Sequence, residues 1–149
     1  MQFKDVVFVG HSVSCMVGML AAIKRPSIFS HLVMIGPSPY YIKESGYYGG
    51  FDKDTIHQML KLMKDDYPKR AQYFAPLTMA NSEKPQLSEE LEQTLCKADP
   101  EITCEFAEVT FFSDNRSDLP KVEVSTLIMQ ASQDVVAPTH IGAYVAKYS

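Results

Sequence analysis

One stretch restricts the fold more than any other: Asp5-Val6-Val7-Phe8-Val9-Gly10-His11-Ser12-Val13-Ser14, running without pause into Cys15-Met16-Val17-Gly18-Met19-Leu20-Ala21-Ala22-Ile23. A short run of β-branched and aromatic residues reads as a buried strand, and the charge-free run after it reads as a helix. Only Gly10-x-Ser12-x-Ser14 lies between them, so the chain must turn sharply from strand to helix at Ser12. A serine hydroxyl held on such a turn stands clear of the sheet, where a base could take its proton. Gly10 and Ser14 are the small flanks expected where the helix closes on the strand.

The helix is apolar all round until Lys24 and Arg25, which predicts cover on both sides. Ser14, Gly18, Ala21 and Ala22 form a small-residue stripe that would let it approach a strand closely. Lys24 and Arg25 complement the helix dipole in the last turn, and Pro26 ends it. His31-Leu32-Val33-Met34-Ile35-Gly36 is a second apolar strand, stopped by Pro37-Ser38-Pro39. A strand-helix-strand crossover implies parallel pairing. A third strand, Val122 to Gln130, comes only after a long interval, and Thr139 to Lys147 starts another helix.

Between the second and third strands the pattern turns helical. Asp52 to Asp66 carries Ile56, Met59, Leu60 and Met63 at core spacing; Tyr67 to Met79 and Ser88 to Lys97 read likewise, the latter opened by Ser88 with Glu89 and Glu90 in its first turn. Asp99-Pro100 starts a further helix towards Phe112. The organisation predicted is a sheet core over 1–36 and 120–149 with an all-helical insertion over 37–119. Such an insertion at the carboxyl end of a parallel sheet is where a lid belongs.

Composition narrows the partners. The 149 residues amount to one domain with a net charge of −4 from 14 basic and 18 acidic side chains, and no basic cluster marks a nucleic-acid surface. No apolar run is long enough for a membrane span and no signal-peptide pattern is present, so the reading is soluble and cytoplasmic. Cys15, Cys96 and Cys104 have no metal-ligand spacing and read as small buried hydrophobes. Neither a metal cluster nor a phosphate-binding glycine loop implies a cofactor.

Several segments together resemble the α/β-hydrolase superfamily, and within it the group of the bacterial sigma-B regulator RsbQ and the plant karrikin and strigolactone receptors. They are Val9 to Ser14, Lys24-Arg25-Pro26, Phe29 to Pro39, Tyr48-Gly49-Gly50-Phe51, Phe74-Ala75-Pro76, Phe111 to Arg116 and Gln133 to Pro138. The insertion motifs look closer to the bacterial branch. The resemblance implies a partial α/β-hydrolase fold of three parallel strands with flanking helices and a helical lid. It matches Ser12 to the nucleophile, the Val13 backbone N–H to an oxyanion donor and Asp134 to the acid that orients the base. Phe51, Phe74 and Phe111 match positions that line an apolar ligand pocket.

In that family the catalytic histidine follows the acid by a strand and a loop. Only His140 follows Asp134 here, one turn into the next helix and too close in sequence to serve; His11, His31 and His57 read as structural. The expectation is an internal fragment of a hydrolase without its base, poorly active alone. The resemblance implies a serine hydrolase-like protein acting on or sensing a small apolar ester or lactone. The alternative it leaves open is a signalling regulator that binds a small ligand and a protein partner, a phosphatase in the case of sigma-B control.

Overall fold

The computed structural model describes residues 3–149, which form two compact units divided after Tyr41 and again after Phe112. The sheet unit holds β1 (Val6–His11), α1 (Val13–Lys24), β2 (Phe29–Ile35), β3 (Ser125–Met129) and a C-terminal helix, Thr139–Tyr148. Its strands lie in the order β1-β2-β3, all parallel, with Phe8 opposite Leu32 and Leu32 opposite Thr126. The parallel crossover through α1 follows from its apolar face, which must pack back on the sheet. The helical unit holds α2 (Lys53–Asp65), α3 (Tyr67–Met79), α4 (Pro85–Lys97) and α5 (Pro100–Phe112); the C-terminal helix is therefore α6.

One face of the sheet carries the core. Leu32 and Met34 pack with Cys15, Met16, Met19 and Ala22 of α1, Val145 of α6 and Leu119, while Phe8 and Ile128 border the cluster. Phe8 sets how closely α1 approaches: a Cβ at Gly18 would stand 2.2 Å from its ring. The expected cover on both sides of α1 is not found, because Val17 and Leu20 face solvent. Nor is the small-residue stripe as predicted. Ser14 and Ala21 are exposed, and the face that closes on the sheet is Cys15, Gly18, Met19 and Ala22.

The opposite sheet face is bare. Side chains alternate along a strand, so Val7 and Val9 of β1 share a face with Leu127 and Met129 of β3, and all four are about half exposed or more. The continuous apolar runs therefore do not make fully buried strands. A 3-10 stretch, Arg116–Lys121, brings Leu119 into the core ahead of β3, which is shorter than its apolar run suggested.

In the helical unit, α2 packs on α5 and α3 on both α2 and α4. Ile56, Leu60 and Met63 are buried as their spacing requires, whereas Met59 is only half-buried. Helix α4 starts at Pro85, ahead of the predicted Ser88, because proline at the first helical position needs no N–H acceptor. Asp99 caps α5 by accepting from the Glu101 and Ile102 amides at 2.9 and 3.1 Å. Cys15 and Cys104 are buried; Cys96 is exposed, against expectation, on a helix with no fully buried residue. No helix of the described residues is long and apolar enough to cross a membrane.

Candidate active site

The site is built at the carboxyl ends of the three strands. Ser12 follows β1 with φ 56° and ψ −127°, a left-handed conformation that non-glycine residues rarely adopt. Two backbone bonds hold it there: its N–H donates to the Ile35 carbonyl at 2.9 Å, and its own carbonyl accepts from the Cys15 amide at 3.0 Å. Gly10 makes the turn possible, since a Cβ there would lie 3.0 Å from backbone atoms of Ser14 and Cys15. The tight approach is to the Ser14 backbone; its side chain points to solvent. Val13 is the first residue of α1, where an N–H has no intrahelical acceptor.

Asp134 lies in the loop after β3. Its Oδ1 accepts from the Val136 and Ala137 amides, both at 2.9 Å, and its Oδ2 from the Gln130 side-chain amide at 3.2 Å. Oδ2 borders the end of β2, for a Cβ on Gly36 would stand 3.4 Å from it, and Gly36 takes a positive φ of 58°. The Gly36 amide donates to the Met129 carbonyl at 2.8 Å, tying the ends of β2 and β3 together.

Beside Ser12 sits a residue that sequence reasoning missed. Tyr41 is buried, its phenol is hydrogen-bonded to the Ser12 side chain, and it lies within electrostatic reach of Asp134. Burial pushes the phenol above its usual value, and the Ser12 hydrogen bond opposes that shift. Three contacts place the segment that carries it. The Ser38 hydroxyl donates to the Tyr40 carbonyl at 2.9 Å, the Asn115 amide to the Pro39 carbonyl at 2.8 Å, and the Arg116 guanidinium lies 4.2 Å from the Tyr40 ring centroid. Arg116 is itself oriented by a fork to Asp114, whose carboxyl it holds below the usual range. The Ser113-Asp114-Asn115-Arg116 motif thus serves the Tyr41 segment. No spacing signal in the sequence marks a tyrosine in so proline-rich a run.

The fold that carries this serine and this carboxylate is shared with solved structures. A hydrolase from Oleispira antarctica superposes on 98% of the chain with a TM-score of 0.93 at 35% identity, using 54% of its own length. The chain has part of the α/β-hydrolase fold. An esterase from Exiguobacterium antarcticum shares the fold with a TM-score of 0.89 over 97% of the chain and 55% of its own, at 24% identity. By sequence, the chain is similar to plant esterases and receptors. It is 35% identical over 142 residues to a probable esterase of Oryza sativa subsp. japonica, 95% of this chain and 52% of the relative. It is 34% identical over 145 residues to a strigolactone esterase of Arabidopsis thaliana and 34% over 144 to a karrikin insensitive 2 receptor of Petunia hybrida, 97% of this chain in both cases and 54% and 53% of those proteins. The chain spans about half the length of the curated relatives it matches. No family model matches it.

The other predicted residues lie in the helical unit. The Phe51 ring meets Phe111 edge-on, with centroids 5.9 Å apart, and Phe111 is buried. Phe74 is engaged differently, by the guanidinium of the buried Arg70 at 4.1 Å. His11, His31 and His140 are exposed, and the exposed His57 lies against the Phe112 ring with centroids 5.4 Å apart.

Proposed function

We propose that the chain carries the nucleophile and acid of a serine hydrolase-type site for a small apolar ester or lactone. Ser12 attacks the carbonyl, the Val13 N–H stabilises the oxyanion, and Asp134 orients an imidazole that takes the Ser12 proton. Phe51, Phe74 and Phe111 are the ligand-binding side chains. The observation that carries this reading is the strained backbone of Ser12, kept at a non-glycine residue and bonded to Tyr41. None of the four histidines of this sequence is assigned the base. Turnover by these residues alone is then about 10⁴-fold or more below that of a complete triad.

Labelling with a fluorophosphonate and hydrolysis of p-nitrophenyl acetate, with and without added imidazole, test the reading. Labelling is expected to be slow and confined to Ser12, to disappear in Ser12→Ala, and to accelerate with imidazole supplied as the base. Undiminished labelling of Ser12→Ala would refute it.

The names of the Petunia relatives favour a second reading, in which ligand binding rather than turnover is the output and a signalling protein partner responds. A phosphatase, as in sigma-B control, is the partner class the resemblance suggests. A lactone that binds Ser12→Ala as tightly as the unchanged chain would favour sensing; loss of binding with loss of the hydroxyl would favour catalysis.

A further inference from the structure

Gln130 follows β3 directly, and its side chain turns back into the loop that carries Asp134. Its Nε2 donates to Asp134 Oδ2 at 3.2 Å and to the Ala137 carbonyl at 2.5 Å. The carboxylate thus receives N–H groups on both oxygens, two from its own loop and one from Gln130. Its orientation is fixed by this chemistry. Turned over, the amide would set its oxygen against two acceptors.

The other half of the amide has no such justification. Gln130 Oε1 is buried and has no hydrogen-bond partner among the described residues. It lies against α6 at Gly142, where a Cβ would stand 2.8 Å from Oε1 and 3.2 Å from the Gln130 Cβ. A glycine on a buried helix face is therefore the seat for a side chain that leaves a polar atom unsatisfied. A methionine would fill similar space without an orphaned oxygen, so packing alone does not call for glutamine.

We propose that Gln130 is a positioning residue: its amide, seated on Gly142, fixes the plane of the Asp134 carboxylate for the imidazole that the carboxylate orients. The role rests on the reading of Ser12 and Asp134 given above. Gln130 touches no reacting atom; it acts through Asp134 and through the Ala137 carbonyl that closes the loop.

The test compares the 149-residue chain with Gln130→Met and Gln130→Glu. Three quantities are read: amide hydrogen exchange at Val136 and Ala137, the thermal midpoint, and imidazole-supported hydrolysis of p-nitrophenyl acetate. In Gln130→Met, exchange at those two amides is expected to rise about tenfold or more while the rest of β3 and α6 keeps its protection and the thermal midpoint falls little, because loss of the two donated bonds is offset in part by loss of the orphaned oxygen. Imidazole-supported turnover should fall about tenfold, with the imidazole-free background unchanged. In Gln130→Glu, protection of the two amides should return as pH falls and the introduced carboxyl, pushed above the ordinary glutamate range by burial and by the Asp134 carboxylate beside it, regains a proton to donate. A lowered thermal midpoint with exchange raised throughout β3 and α6 would make Gln130 a structural brace and overturn the proposal, as would no change in exchange. If the unchanged chain shows no imidazole-supported turnover and Ser12 does not label, the reading of the site fails and the role built on it falls too. Unchanged turnover in Gln130→Met beside an active parent overturns the role of Gln130 alone.

Discussion

The two faces of the three-stranded sheet are made from the same kinds of residue and do different work. On one, Leu32 at 0% and Met34 at 1% exposure lie beneath α1 and α6; on the other, Val9 at 60% and Leu127 at 57% lie open. The covered face sets the site. Phe8 fixes the distance to α1, Gly10 lets the α1 backbone close on the strand end, and Ser12 is held where the two meet. The bare face positions none of the candidate groups. Apolar composition alone therefore does not say which half of a strand organises function.

Substitutions on the covered face should carry the largest costs. Leu32→Ala should cost about 4 kcal/mol in urea unfolding, through lost burial and a cavity beneath two helices. Gly18→Ala should cost about 2 kcal/mol, since the new methyl overlaps the Phe8 ring and only a shift of that side chain relieves it. A smaller cost from Gly18→Ala than from an exposed alanine substitution would mean that Phe8 does not set the helix distance.

The buried face can also be probed by pH. Burial pushes the Cys15 thiol from its ordinary value of 9.0 to about 11. The unfolded chain loses that proton first, so its contribution is intact below pH 9 and is lost as pH rises from 9 through 11, up to about 2 kcal/mol. Cys15→Ala should flatten the fall in stability over that window; an unchanged fall would assign it to other groups. At pH 8 a thiol reagent should modify exposed Cys96 in the native chain and reach Cys15 only on unfolding. The smallest effect belongs to the bare face: Leu127→Ala should change stability by about 0.5 kcal/mol or less while raising solubility, because it trims an exposed apolar patch.

Much of this was legible in the chain. The turn at Ser12, the order of the strands and the helices from Lys53 to Phe112 follow from residue pattern, because strand and helix periods differ and Gly10, Pro26 and Asp99 punctuate them. The difference between the sheet faces was not. Val7, Phe8 and Val9 are all apolar, and a continuous apolar run carries no mark of which side a helix will cover. Val17 and Leu20 mislead in the same way on α1. Tyr41 and Gln130 escaped for another reason: Tyr41 meets Ser12 only in the folded chain, Gln130 meets Asp134 and Ala137 only where its loop turns back, and neither belongs to a fixed spacing.

The left-handed backbone at Ser12 has a consequence for stability. Holding a non-glycine residue in that region costs about 1–3 kcal/mol, and glycine there would recover much of it. A lineage in which the hydroxyl no longer mattered would meet an easy stabilising substitution at this one position. Serine at this turn thus forgoes stability that glycine would supply, and the unfolding free energy of Ser12→Gly measures how much.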